Sequence, residues 1–172
     1  MLDVFHTLAE VAVAITGFSS LIVIFRGSAS GWSRQEYVGF AFVLGWSIGC
    51  IFLSLLPIVL VEFGMKLSAA ARIGLFAAVV YMFGLSTILT YARRRSSRVA
   101  GWRSAIGQGS IGLWMSISYL VIVASALAAG LGLFPGPMHA WYAAAIVLLM
   151  AHATAELGVF VVQSTSQTGA EQ

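Results

Sequence analysis

Five apolar runs, Val4–Phe25, Tyr37–Phe63, Ala69–Tyr91, Ile111–Phe134 and His139–Gln163, take up most of this 172-residue chain. Each is long enough to cross the roughly 30 Å hydrocarbon layer of a bilayer as a helix, which takes about 20 residues. The pattern predicts an all-α integral membrane bundle of five transmembrane helices forming one domain over residues 1–172. Composition points the same way, with 60% hydrophobic and 9% charged residues, a balance that leaves no room for a water-soluble domain. The longest polar stretch is Arg93–Ser110, and the only tail is Ser164–Gln172.

The first run lacks a positive leader, carries Asp3 and Glu10, and is longer than a signal-peptide core, so a retained span is expected. Cys50 is the single cysteine and lies inside the second run, which excludes an intrachain disulfide. Basic residues orient the bundle, because short loops rich in Lys and Arg stay cytoplasmic. Arg93, Arg94, Arg95, Arg98 and Arg103 have no acid between them. Their loop is therefore expected inside, with the N-terminus outside and the C-terminus cytoplasmic. Trp32 and Tyr37 at one end and Trp141 and Tyr142 at the other match interfacial aromatic belts.

Helix ends carry local signals. Ser33 with Glu36 fits a capping box, Ser68 can cap the third span, and Pro135-Gly136-Pro137 makes the fourth and fifth spans an antiparallel hairpin. Pro57 removes a donor from the second span and frees a carbonyl one turn earlier, near Leu53, which predicts a kink. Small residues at helical spacing allow close packing in lipid. They are Ala41, Gly45 and Gly49 on the second span, Gly74 and Ala78 on the third, and Ala124, Ala128 and Gly132 on the fourth.

Ionisable groups inside the spans are the functional clue, because each is costly in a bilayer unless paired or hydrated. Asp3, His6 and Glu10 share one face of the first span, and Gly17 and Ser20 continue it, so this face is expected to point into the bundle or at water. On the fifth span His152, Glu156 and Gln163 share a face. Both clusters hold His-x-x-x-Glu, a spacing that suits a shared hydrogen bond, proton exchange or joint hold on a cation. At ~1.5 Å per residue Glu10 lies roughly 9 Å deep and Glu156 nearer 25 Å, so the pairs would mark two ends of one polar path. A structural ion pair between Glu10 and Arg72 is the plainer reading of the first, and a mutual hydrogen bond with Arg26 or Arg93 as counter-charge that of the second. His6 and His139 lie near the outer interface, where histidines are usually solvated.

Asp3, His6 and Glu10 could offer a metal three ligands, but a complete site would need another helix or subunit, and no metal or other cofactor is expected. Paired histidines at matched depth, as haem would require, are absent from the sequence. No His-Glu-x-x-His, Gly-x-Ser-x-Gly or phosphate-binding glycine loop occurs, and a non-enzymatic protein is expected. Val99, Trp102 and Ile106 among the arginines suggest a short interfacial helix, so Arg93, Arg94, Arg95, Arg98, Trp102 and Arg103 are expected on anionic lipid headgroups rather than nucleic acid.

The stretch Leu8-Ala9-Glu10-Val11-Ala12-Val13-Ala14-Ile15-Thr16-Gly17-Phe18-Ser19-Ser20-Leu21-Ile22-Val23, with Gly31-Trp32-Ser33 after Arg26, resembles the opening of small uncharacterised bacterial multi-pass membrane proteins. The resemblance implies a bacterial inner-membrane location and no activity. Ala9-Glu10-Val11 is also similar to the glutamate segment of small multidrug-resistance transporters, which have four spans and a shorter chain. Two functions follow as expectations. One is a homo-oligomeric channel or proton- or ion-coupled path lined by the polar faces of the first and fifth spans, with Asp3, His6, Glu10, Arg72, His152 and Glu156 as its ionisable groups. The other is a non-catalytic accessory or scaffolding subunit docked on other membrane proteins.

Overall fold

A computed structural model describes residues 2–30, 34–97 and 109–168, with side chains over 2–22, 40–88, 90–91, 116–159 and 161–162. Five helices account for the regular structure among them: α1 (Leu2–Ser30), α2 (Arg34–Glu62), α3 (Leu67–Ser97), α4 (Gly109–Gly130) and α5 (Met138–Thr168). Four carry stretches long and apolar enough to cross a membrane, namely Leu2–Ile22, Phe40–Glu62, Leu67–Ile88 and Met138–Val159; the described apolar part of α4 is Ser116–Gly130. α2, α3 and α5 pack against one another, α1 lies against α2 and α5, and α4 lies against α3 and α5.

The exterior of this bundle carries many large apolar side chains, and its interior many small residues. Alanines 9, 12, 70, 71, 78, 126, 129 and 153 are buried together with Ser19, Ser47 and Ser54, while Phe52, Val80, Phe83, Ile88 and Val162 stand out from the surface. Water would penalise such a surface, whereas lipid tails are as apolar as leucine and leave close packing of small residues to hold helices together. Hydroxyls on α1 satisfy themselves within the helix: Thr16 donates to the Ala12 carbonyl, Ser19 to Ile15 and Ser20 to Thr16.

The glycines of α2 and α3 are seats for large side chains. A Cβ on Gly45 would meet Leu85 at 2.8 Å, and one on Gly49 would collide with the Tyr81 ring. Tyr81 packs against Gly49 on this strip of α2 and donates its hydroxyl to the Gly45 carbonyl. One on Gly74 would meet Tyr142 at 2.5 Å. The α4 contact face differs from the expected ridge: Ile122, Val123, Ala126 and Ala129 are buried, whereas Ala124 and Gly132 are exposed.

Pro57 sits inside α2 and leaves the Leu53 carbonyl without a backbone donor, since residue 57 has no N–H to give. The fully buried Tyr142 supplies the missing hydrogen bond by donating its hydroxyl to that carbonyl. Tyr142 is thus a core residue rather than part of an interfacial belt, and the Phe5 ring rests on it at 5.6 Å.

Turn chemistry moves two expected boundaries. Gly132 has φ +78°, Leu133 donates to the Ala128 carbonyl and Gly132 to that of Ala129. This left-handed cap stops α4 at Gly130, short of the expected Phe134. The same pattern at Gly64, φ +86°, closes α2 through Met65 to Leu60 and Gly64 to Val61. α3 starts at Leu67, and the Lys66 carbonyl accepts from Ala70, so Ser68 lies within the first turn and is not the cap. Gly136, φ +107°, turns the chain before α5, where Trp141 donates to the Pro135 carbonyl at 2.9 Å and stacks on Phe134.

A Cβ at Gly64 would touch nothing, so only its backbone conformation is at stake. Gly64→Ala is expected to lower stability by about 1–2 kcal/mol, with Gly64→Asn recovering part of the loss. Thermal unfolding of the two variants in detergent checks this.

α3 continues to Ser97, so Arg93, Arg94 and Arg95 extend the helix instead of opening a loop. Their side chains, together with Arg26, Trp32, Ser33, Glu36, Tyr37, Arg98, Trp102, Arg103 and Gln163, lie outside the described residues.

Candidate functional site

The buried polar centre of the bundle lies where α2, α4 and α5 converge, in the half nearer the arginines. His152 is only 5% exposed, buried among apolar neighbours such as Leu149 and Ala153. Its Nδ1 lies 3.0 Å from the Ser118 hydroxyl on α4, and its Nε2 lies 3.5 Å from Glu156 Oε1 one turn along α5. Trp46 of α2 meets the imidazole edge-on at 5.7 Å, and Tyr119 of α4 meets Trp46 at 5.9 Å. Phe83 of α3 closes the group against Tyr119 at 6.4 Å.

Helix geometry explains why these residues meet. Measured from the end where α2 joins α3 and α4 joins α5, His152 is 14 residues from Met138 (152 − 138), Ser118 is 12 from Gly130 (130 − 118) and Trp46 is 16 from Glu62 (62 − 46). These offsets agree to within about one turn of helix. Depth matching thus brings three helices to one level.

Both imidazole nitrogens are engaged, and the site tolerates either protonation state. A carboxylate opposite Nε2 favours the hydrogen on that nitrogen, leaving Nδ1 to accept from Ser118. When the ring gains a proton, Nδ1–H donates to the same hydroxyl, which rotates to accept, because a serine oxygen is both donor and acceptor. No heavy atom has to move. The resulting imidazolium faces Glu156, whose side chain is 20% exposed and so reaches the edge of the bundle.

Trp46 Nε1, the Tyr119 hydroxyl and Glu156 Oε2 are buried without hydrogen-bond partners around this histidine, and the Ser47 and Ser54 hydroxyls of α2 are likewise unpaired. Buried polar atoms left unpaired are costly. One indole donor, one hydroxyl and one carboxylate oxygen beside the pair therefore form a set that small polar species, water or a hydrated proton foremost, would satisfy.

The other ionisable residues do not join this centre. Asp3, His6 and Glu10 are exposed, and the face of α1 turned into the bundle is Phe5, Ala9, Ala12 and Ser19. Of the two orientations expected for the charged face of the first span, into the bundle or at water, the first does not occur: apolar and small residues, not the charged ones, fill the groove between α2 and α5. Arg72 is exposed on α3, which does not form a packed pair with α1, and no ion pair links it to Glu10 among the described residues. His139 is half-buried at the start of α5. Among the described residues no group of three or more His, Cys, Asp or Glu side chains gathers as a metal site.

Trp46, Ser118 and Tyr119 were invisible to a reading that looked for charge. The signal was the polar run Ser116-Ile117-Ser118-Tyr119 inside an apolar span, at the depth of His152. Comparison with protein-family models, with curated proteins and with solved structures finds no match to this chain.

Proposed function

We propose that the chain is a proton-handling component of an ion-coupled membrane path, with His152 and Glu156 as the group that takes up and releases the proton. The observation that supports this best is the buried imidazole held between Ser118 and Glu156, beside three unpaired polar atoms. An ionisable pair inside a membrane bundle is costly to keep for packing alone and is functional by default. In this reading all five helices cross a bacterial inner membrane, with the N-terminus outside and the C-terminus cytoplasmic. Arg93, Arg94, Arg95, Arg98, Trp102 and Arg103 then meet anionic headgroups on the cytoplasmic side. Copies of the chain associate, because a five-helix bundle is small for a transporter. The first-span charges face away from the centre, so the proton route runs along α5 and the unpaired hydroxyls of α2, and not between the two His-x-x-x-Glu clusters of one copy.

The test is proton flux into liposomes carrying the purified chain and a pH-sensitive dye. Glu156→Gln and His152→Gln are each expected to reduce flux at least ten-fold, on the order of a general acid–base contribution, while the bundle stays folded. A chain that carries no flux, or whose flux is unchanged by both substitutions, would sink the reading.

An accessory subunit is the second reading. The observation favouring it is the outward display of His6 and Glu10, which another membrane protein would have to meet.

A further inference from the structure

Glu10 and Arg72 are two opposite charges on different flanks of the bundle. Both are exposed, no hydrogen bond or ion pair engages either among the described residues, and each lies within an apolar stretch long enough to cross a membrane. α1 packs on α2 and α5, and α3 packs on α2, α4 and α5, so the two helices are not packed partners within one chain. A charge at such a position seeks a counter-charge or a headgroup.

Their depths match. Glu10 is eight residues along α1 (10 − 2) and Arg72 five along α3 (72 − 67), about 12 Å and 8 Å from the same end of the bundle. Arg72, with five donors on a long stem, covers the difference. α1 and α3 also run in the same direction, so two copies sharing one membrane orientation present them as parallel helices.

The faces below the two charges are complementary in shape. Ala14, Gly17 and Leu21 follow Glu10 at four, seven and eleven residues, and nothing lies within 4 Å of a Cβ built on Gly17. Phe76, Val80 and Phe83 follow Arg72 at four, eight and eleven, with Val80 71% exposed. In the register set by the ion pair, small positions on α1 oppose bulky ones on α3: Ala14 meets Phe76 and Gly17 meets Val80. Phe76 is steadied from behind, its ring 3.3 Å from where a Cβ on Gly130 would sit.

We propose that α1 of one copy docks on α3 of the next, with Glu10 paired to the neighbouring copy's Arg72 and Val80 of that copy seated over Gly17. The proposal rests on the reading of a membrane-embedded homo-oligomer and names its seam. Because the two faces differ, the contact is head-to-tail, and with all copies upright in one bilayer it repeats by rotation into a closed ring. Each copy then contributes one α1 face and one α3 face, and neither Glu10 nor Arg72 faces lipid.

Charge exchange in the full-length chain, in lipid nanodiscs, tests this without any flux measurement. Native mass spectrometry is expected to show a defined homo-oligomer. Glu10→Arg and Arg72→Glu should each weaken association at least about ten-fold, and the double exchange should restore it. Because a charge reversal can disturb folding, a second probe uses Ala14→Cys with Phe76→Cys, positions that face each other in this register, in a Cys50→Ala background. Oxidation of that chain should give a ladder beyond the dimer, and either cysteine alone should give none. The proposal is overturned by a monomeric chain, by single reversals that leave the oligomer intact while releasing anionic lipid, by cross-links confined to Ala14→Cys pairs, or by stoichiometric capture of a different membrane subunit. The proton-handling reading survives each of these if proton flux in liposomes still depends on Glu156.

Discussion

Gly74→Ala is expected to lower the stability of the bundle by about 2–4 kcal/mol, more than alanine normally does in a helix, where it is the better former. The added methyl would fall between 2.5 and 2.8 Å from three atoms of the Tyr142 ring. An exposed tyrosine would swing away at little cost. Tyr142 is fully buried, with Phe5 on its ring and its hydroxyl committed to the Leu53 carbonyl. Moving it forces overpacking, about 1–3 kcal/mol, and gives up a membrane hydrogen bond worth about 1 kcal/mol. Unfolding of the purified protein by SDS, followed by circular dichroism, measures the sum. The same substitution in a Tyr142→Leu background should be close to neutral, since no ring remains to collide. An equal loss in both backgrounds would show that Gly74 matters for its backbone and not for the seat it makes.

The second large effect is a coupling. Tyr142→Phe keeps the ring and removes the donor, leaving Leu53 with an unpaired carbonyl inside the bundle, at a cost of about 1–3 kcal/mol. Pro57→Ala restores an N–H four residues after Leu53, in position to bond that carbonyl from within α2. Tyr142→Phe should therefore be nearly silent when made on top of Pro57→Ala. The interaction energy of this double-mutant cycle is expected to approach the whole effect of the single Tyr142→Phe change. Additive losses would mean that Tyr142 serves the bundle through its ring alone.

The backbone of this fold was legible because spans of apolar residues need only be counted. The helices run five or six residues past the expected ends at Phe25, Tyr91 and Gln163, and at Phe134 and Ser68 a left-handed glycine and a lysine carbonyl settled the ends instead of the expected residues. Pro57 was also informative: it identified the Leu53 carbonyl as the group that would need a donor, though nothing local says that the donor is Tyr142. Which way a helix faces was the harder question. A charged stripe and an alanine stripe on α1 compete for the groove, and the stripe that packs more closely wins, sending Asp3, His6 and Glu10 outward. Half of the candidate site, His152 and Glu156, could be read from spacing on one helix. Trp46, Ser118 and Tyr119 could not, because their part in it depends on three helices reaching the same depth.

The bond between Tyr142 and Leu53 joins residues 89 positions apart. During synthesis, at about 5–20 residues per second, the second helix emerges some 4–18 seconds before the tyrosine that completes its backbone. Throughout that interval α2 carries an open acceptor, and no arrangement of the first three helices can close it from their own proline-interrupted ladder. The last helix thus acts as a checkpoint on assembly. A chain truncated before α5 would hold an exposed defect in its second helix, the kind of feature by which a quality-control protease could tell an unfinished bundle from a finished one.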